Sequence, residues 1–442
     1  MKKAVRLLAA FLLLVCLGGC AVGSIDELYS LPQPQEQFSQ LQTLIDAEVS
    51  AGSEYSAPTA GSQRQSVQLV DIDGDGYNEA LAFLKNRSTA PVICIYRVEN
   101  GQYVPACTIT GEGTAIGRVE YYDLDGDGTL EIIVAWKIST DIATVNAFSV
   151  RGWNPTVLLS ANCREFLVGN MTDTENPEVM TLNFSDEGGV VNMYSTDRAG
   201  ETSSVSAPLS ASLTSADRFR YASIAGGVPA LFVEGHYQED DEVWYLTDIF
   251  TASDGRLKNI TLSSDTGNSS TARAASVFSL DINNDGVMEV PCSETVFRQP
   301  KISSDYYVYD WLSFDSEGNS TLCASTYHCY SDGWFYVIPE EWRDSFTVRR
   351  ETGKTGERTV VLSTVDESSG EVTDRLTIYT LSGENRRYSA RLSGRFVLVS
   401  GETAIYAAEV NRPEDNPLTD EEKNDIIGRF HIIYSEWIQG TV

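Results

Sequence analysis

The sequence predicts a mainly β protein assembled from repeated four-stranded units. Three observations point there. The nine residues DIDGDGYNE (Asp71 to Glu79) recur as DLDGDGTLE (Asp123 to Glu131) and DINNDGVME (Asp281 to Glu289). Each copy runs straight into an apolar, strand-like segment. The first two copies begin 52 residues apart, and degenerate copies continue at a similar step.

The elements follow in chain order. Residues 1–20 read as a lipoprotein signal peptide. Lys2, Lys3 and Arg6 make a basic start, and Leu7 to Val15 is apolar but too short to span a bilayer. The leader ends in Leu17-Gly18-Gly19-Cys20, which resembles a bacterial lipobox, and that resemblance implies lipidation at Cys20. The expected location is therefore extracytoplasmic, anchored to the outer face of the bacterial cell membrane through the N-terminal lipid only. Setting aside Lys2, Lys3 and Arg6 leaves 29 of the 32 basic residues against 63 acidic ones, which moves the net charge from −31 to −34. A surface of that sign repels nucleic acid and anionic lipid, so no nucleic-acid partner is expected.

Residues 21–65 read as a tether, a short helix and a linker. Phe38, Leu41, Leu44, Ile45 and Val49 fall at helical spacing between Pro34 and Gly52. Residues 66–330 carry five units of about 50 residues. The second shows the pattern best: RVEYYD leads into the loop, and IIVAWKI, TVNAFSV and TVLLSA follow as strands. The third unit opens with Asn170 to Glu178, which keeps the terminal polar positions but loses the carboxylates and glycines. The fourth opens with Ser223 to Val233, which has glycines and no acidic ligands. Four-stranded units at this period describe the blades of a β-propeller, five recognisable and up to seven in all.

Residues 331–442 read as a C-terminal α+β domain or as further degenerate blades. Gly333 to Glu351 holds a strand, a connection and another strand, and TVVLST, DRLTIYTL, RFVLVS and AIYAAEV add four more. A closing helix is expected from the capping box Thr419/Glu422 and the stripe Ile426, Ile427, Phe430, Ile433, Tyr434 and Trp437.

The recurring loop has the chemistry of a site for a hard cation. In the second copy Asp123, Asp125 and Asp127 offer carboxylates at positions one, three and five, Thr129 a carbonyl at position seven, and Glu131 a carboxylate at position nine. The intervening residues point away, and Gly126 and Gly128 allow the left-handed backbone of a tight turn. The first copy supplies Asp71, Asp73, Asp75, the Tyr77 carbonyl and Glu79. The third supplies Asp281, Asn283, Asp285, the Val287 carbonyl and Glu289, and Asn283 removes one charge and weakens that site. Oxygen-only ligands select Ca²⁺, giving about three sites. An EF-hand is excluded: its position twelve needs a bidentate Glu, and here stand Ala82, Val134 and Cys292, with β-rich flanks. Without an ion, three clustered carboxylates would repel one another.

This pattern, D-x-D-G-D-G-x-x-E before an apolar strand, resembles the FG-GAP or VCBS repeat of integrin-α-like propellers. The resemblance covers three loops well and two poorly between residues 66 and 330. It implies a calcium-stabilised propeller outside the cytoplasm, with loops that stiffen the rim. Lipoproteins of Gram-positive bacteria are also similar to the whole chain, a likeness that implies no activity.

No catalytic constellation stands out. His236, His328 and His431 are far apart in sequence and outside any metal motif, and there is no GxSxG elbow or phosphate-cradling glycine loop. Tyr306, Tyr307, Tyr309 and Trp311 read as core or inter-blade packing, with stacking on carbohydrate as the alternative. No CxxC pair occurs. Cys94 and Cys107 fall on consecutive expected strands, which leaves a cross-hairpin bridge or two buried thiols; Cys323 and Cys329 are too far apart to bond if they share a strand. The expected function is a non-enzymatic module that binds an envelope protein or polysaccharide. The alternative is an extracellular carbohydrate-active enzyme using the propeller as scaffold.

Overall fold

A computed structural model describes residues 36–172, 174–274, 276–293, 307–352, 356–366, 368–392, 394–412 and 416–433. The leader with Cys20, the tether, and Tyr306, Tyr434 and Trp437 lie outside these residues, as does the side chain of Tyr307. The chain divides into two units, Met1–Arg118 with Arg151–Pro155, and Val119–Val150 with Thr156–Val442. Among the described residues strand dominates, in six antiparallel sheets of four or five strands. No described helix is long and apolar enough to cross a membrane.

The first unit opens with a helix, Glu36–Ser50. Leu41 and Ile45, one turn apart, are buried against Ala80, Ala82 and Leu84, alternate residues of the strand Glu79–Lys85. Phe38 packs its ring 6.3 Å from that of Tyr103. Val49, at the helix end, is exposed. The first sheet joins Val67–Val70, Glu79–Lys85, Pro91–Glu99 and Gln102–Thr110, and Glu54–Tyr55 extends one edge of the second of these strands. Part of the expected linker is thus ordered: Thr59 and Ala60 donate to the carbonyls of Ile116 and Gly117.

The second, third and fourth sheets are consecutive meanders. The second takes Ala115–Tyr122, Glu131–Lys137, Ala143–Ser149 and Thr156–Cys163. The third takes Glu165–Gly169, Glu178–Ser185, Gly188–Thr196 and Thr202–Pro208. Arg218–Ile224, Val228–Glu239, Glu242–Ser253 and Arg256–Asn259 make the fourth.

Within the second unit, strand alternation turns each inner strand into a two-sided core. In Val228–Glu239, Leu231 and Val233 pack with Met180 and Leu182 of the third sheet. Ala230 and Phe232, their neighbours, pack the other way with Val290 and Phe314 of the fifth. Val179 likewise faces back to Ile133 and Val145 of the second sheet. Each sheet therefore lies face to face on the next, and runs such as EIIVAWK are apolar on both faces because both faces are covered.

The fifth sheet takes Val290–Ser293, Tyr307–Phe314, Ser320–Cys329 and Trp334–Ile338. Its fourth strand lies beyond residue 330, where the sequence suggested a change of domain. The sixth sheet, Phe346–Thr352, Glu357–Val365, Val372–Ser382, Ala404–Val410 and Arg395–Ser400, shares one core with it, where Tyr327 and Trp334 meet Phe346, Leu362 and Ile378.

The closing helix is shorter than expected. Thr419 and Glu422 do form the reciprocal capping box, but the helix is Asp420–Gly428. Phe430–Ile432 is a strand that pairs with Trp334–Tyr336 and adds a fifth strand to the fifth sheet. Phe430 and Ile433 therefore do not belong to a helical stripe. Past Gly428 the backbone finds partners on a sheet edge, and Phe430 is buried beside Trp334 and Tyr406.

Candidate metal centre

All three acidic loops sit between two strands or bridged residues of one sheet, and they fold alike. The first-position carboxylate accepts from the sixth-position N–H: Asp71 from Gly76 at 3.1 Å, Asp123 from Gly128 at 2.9 Å, Asp281 from Gly286 at 2.9 Å. The third-position side chain accepts from the fifth-position N–H: Asp73 from Asp75, Asp125 from Asp127, Asn283 from Asp285. The fifth-position carboxylate accepts from the N–H of Tyr77, Thr129 or Val287. These bonds curl the backbone around a common centre. They require left-handed residues at position four (Gly74, Gly126 and Asn284, φ 71°, 73° and 59°) and at position six (Gly76, Gly128 and Gly286).

The second position anchors each loop from beneath. Ile72, Leu124 and Ile282 are buried. Their N–H groups donate to one oxygen of the ninth-position glutamate: Glu79 at 2.9 Å, Glu131 at 2.8 Å and Glu289 at 3.0 Å. These glutamates start the inner strands, except that Glu289 precedes Val290 and bridges to Leu280. The positions twelve, Ala82, Val134 and Cys292, lie on strands, as the exclusion of an EF-hand requires.

The ninth glutamates carry the strongest sign of a missing partner. Glu131 and Glu289 are fully buried, and in each the second oxygen, Oε1, is buried with no hydrogen-bond partner. Asp71 Oδ1 is in the same condition. Burial, and then the neighbouring aspartates, push Glu79, Glu131 and Glu289 each up to about 7. A buried carboxylate oxygen without a donor, held among other carboxylates, is the environment that a hard cation relieves.

Two loops bring three carboxylates together, one oxygen from each within 4.8 Å of the others: Asp71, Asp73 and Glu79, and Asp123, Asp125 and Asp127. Asp75 and Glu131 are not among those triplets. The 281–289 loop forms no such group among the described residues. There Asn283 donates its amide to Asp285 at 2.9 Å, so an internal bond replaces one of the repulsions.

The degenerate openings differ from one another. In Asn170–Glu178, Met171 donates to Glu178 Oε2 at 2.8 Å, reproducing the anchor of the acidic loops. The fourth unit has no such loop; Ile224 pairs with Val228 around a tight turn at Gly226 and Gly227, φ 79° and 72°.

No protein-family model and no curated protein sequence matches this chain. A crystal structure of Saccharomyces cerevisiae Sqt1 aligns over 71% of this chain and 97% of its own length, at 10% identity and a TM-score of 0.27. A likeness of that size carries no argument.

The remaining candidates resolve one by one. His236 is exposed and bound to Asp217 at 2.7 Å. His328 and His431, 103 positions apart, flank the same ring, Phe335, at 5.2 and 4.7 Å. Tyr309 and Trp311 are core residues. Cys94, Cys107, Cys163, Cys323 and Cys329 are free thiols. Cys107 stands opposite Ile95, one place out of register with Cys94, so the two thiols leave opposite faces of the hairpin. Cys323 and Cys329 share the strand Ser320–Cys329. A cleft of about 1390 Å³ opens in the second unit, lined among others by Thr172, Thr174, Asp254, Lys258 and Glu317. Neither the cleft nor the ninth-position anchor emerged from ligand spacing. The anchor was legible as a glutamate seven residues after a buried apolar residue, a rule that Met171 and Glu178 also obey.

Proposed function

We propose that the chain is a cation-stabilised β-propeller of the FG-GAP type, lipid-anchored at Cys20 outside the cytoplasm. In this reading it is a non-enzymatic module that binds a protein or glycan of the cell envelope. The sheets are its blades, and those of the second unit pack face to face. Ca²⁺ occupies the loops of Asp71–Glu79 and Asp123–Glu131, and more weakly that of Asp281–Glu289, where Asn283 lowers the charge. The observation that carries the cation is the buried, partnerless Oε1 of Glu131 and Glu289 within a recurring cage of oxygen ligands. The ion adds stiffness rather than chemistry: it ties the loop to the strand that follows. In the second unit it also holds Gly126, whose carbonyl accepts from Arg198, in the turn between the last two strands of the third sheet. The binding reading draws on the lipobox, the repeats, and the lack of a catalytic constellation in the sequence.

The first test is calorimetric titration of Ca²⁺ into metal-stripped residues 21–442, with the melting temperature followed in parallel. Uptake with a rise in melting temperature supports the cation, and no uptake removes it. The second is a screen of the purified protein against envelope polysaccharides and proteins, scored for binding and for turnover.

The enzyme alternative draws on the cleft, which also includes Asp197 and Glu201 in its wall. Release of reducing ends from an envelope polysaccharide, lost on replacing one of its carboxylates, would establish that alternative and overturn the binding-only view.

A further inference from the structure

We infer that Asn170–Glu178 is a cation-independent counterpart of the acidic loops, closed by two threonine hydroxyls in the places where the first two of those loops present carboxylates. The inference rests on the cation reading of those loops. It starts from a comparison of the four ninth-position glutamates. Glu79, Glu131, Glu178 and Glu289 all accept from the second-position N–H through Oε2. They part at the other oxygen. In Glu131 and Glu289 it is buried and bare. In Glu178, equally buried, Oε1 accepts from the hydroxyl of Thr172 and, at 3.5 Å, from that of Thr174.

Thr172 and Thr174 are positions three and five of the loop, the places of Asp125 and Asp127 in the preceding unit. A hydroxyl differs from a carboxylate in having a proton to give. At these two positions the first two acidic loops add charge that calls for an ion, whereas this loop adds donors that satisfy the glutamate directly. The hydroxyls also meet each other at 2.8 Å, and Thr174 reaches the Asn176 carbonyl at 3.2 Å. Position six gives an independent sign. It is a left-handed glycine in every acidic loop; here it is Glu175, which has no left-handed backbone. The left-handed turn that each acidic loop makes at position six is therefore not made.

The seam is also fastened from the next sheet, where Tyr221 donates its hydroxyl to the Asn170 carbonyl at 2.6 Å. The protein thus holds two kinds of loop, one that answers to the ion and one that does not. Thr172 and Thr174 decide which kind this one is.

The test uses two variants of residues 21–442. Thr172→Val removes the main donor while keeping the side-chain shape. It should lower the melting temperature by about 2 °C, by the same amount in saturating Ca²⁺ and in chelator, with the ion count unchanged. The second variant is a chimera carrying the sequence of residues 170–178 at residues 123–131. It should bind one ion fewer than the wild type in native mass spectrometry and lose less melting temperature on chelation.

A Thr172→Val protein as stable as the wild type, or one that binds fewer ions, overturns the inference. So does a chimera that keeps the full ion count. If the wild type binds no ion, the cation reading falls. The chelator arm of Thr172→Val then still judges the hydroxyl closure by itself.

Discussion

Glu131→Gln separates the two roles of the ninth-position glutamate. The amide oxygen of glutamine still accepts the Leu124 N–H, which now meets Oε2 at 2.8 Å, while its NH₂ replaces the bare Oε1. The charge disappears and the anchor stays. In the metal-free protein Glu131 is pushed from 4.5 up to about 7, first by burial and then by Asp125, Asp127 and Asp123. Its folded-state value lies above its unfolded one, so the folded chain holds the proton more tightly. Metal-free stability therefore falls as pH rises from about 4.5 through about 7, and the full cost is present at pH 8. A rise of that size corresponds to about 3 kcal/mol at about 1.4 kcal/mol per pH unit. Screening at a loop near the surface reduces this to about 2 kcal/mol. With chelator at pH 8, Glu131→Gln should thus be more stable than the wild type by about 2 kcal/mol. With Ca²⁺ at a hundredfold excess over its dissociation constant, the wild type should gain about 2.7 kcal/mol from that site, and the variant should gain nothing there. Urea unfolding at pH 8, with chelator and with Ca²⁺, measures both arms. A variant less stable than the wild type in chelator, or one stabilised by Ca²⁺ as much as the wild type, refutes the reasoning.

Three further outcomes follow from particular residues. Leu124→Ala empties the apolar seat beneath the second loop and should cost about 2–5 kcal/mol in urea unfolding whether or not Ca²⁺ is present; rescue by the ion would show that the loop, not the core, fixes that residue. Arg273 and Glu234 form a fully buried ion pair, N to O 3.7 Å. Arg273→Met strands the glutamate and should destabilise by about 3–5 kcal/mol, and restoration of part of that by adding Glu234→Gln is the check. Burial pushes His328 from 6.5 down to about 3, so the unfolded chain takes up the proton first. Its contribution to stability is complete above about pH 6.5 and is lost as pH falls toward about 3. Stability measured at pH 7 and pH 5 should therefore fall less in His328→Gln than in the wild type, and an equal fall would contradict the neutral ring.

Much of this architecture was legible because the signals were local. The alternation of oxygens and glycines placed three loops, and the apolar runs after them placed the inner strands. The meander of short strands around each was equally plain, as was the stripe Leu41/Ile45 on the opening helix. What escaped depended on pairing between distant segments. Phe430 and Ile433 keep helical spacing from Ile426, yet a switch to strand at Gly428 preserves that spacing. Only the edge offered by Trp334–Tyr336 shows which conformation the backbone takes. The pairing of Trp334–Ile338 with Ser320–Cys329, which carries the fifth sheet past residue 330, was hidden for the same reason. Within the site, counting carboxylates found the acidic loops and ranked Asn283 as weaker. The repeat step found Asn170–Glu178 as a degenerate opening without the carboxylates, but it did not show that a threonine hydroxyl takes their place. The glutamate it satisfies becomes evident only when all four loops are seen to share one hydrogen bond.

The central claim, that the recurring acidic loops hold divalent cations, is tested most directly by native mass spectrometry of residues 21–442. The protein would be stripped of metal and then returned to Ca²⁺. At least two bound ions are predicted, with a third at higher concentration, and one ion fewer in Asp125→Ala. A spectrum showing the bare chain at every concentration, or an unchanged ion count in that variant, would contradict it.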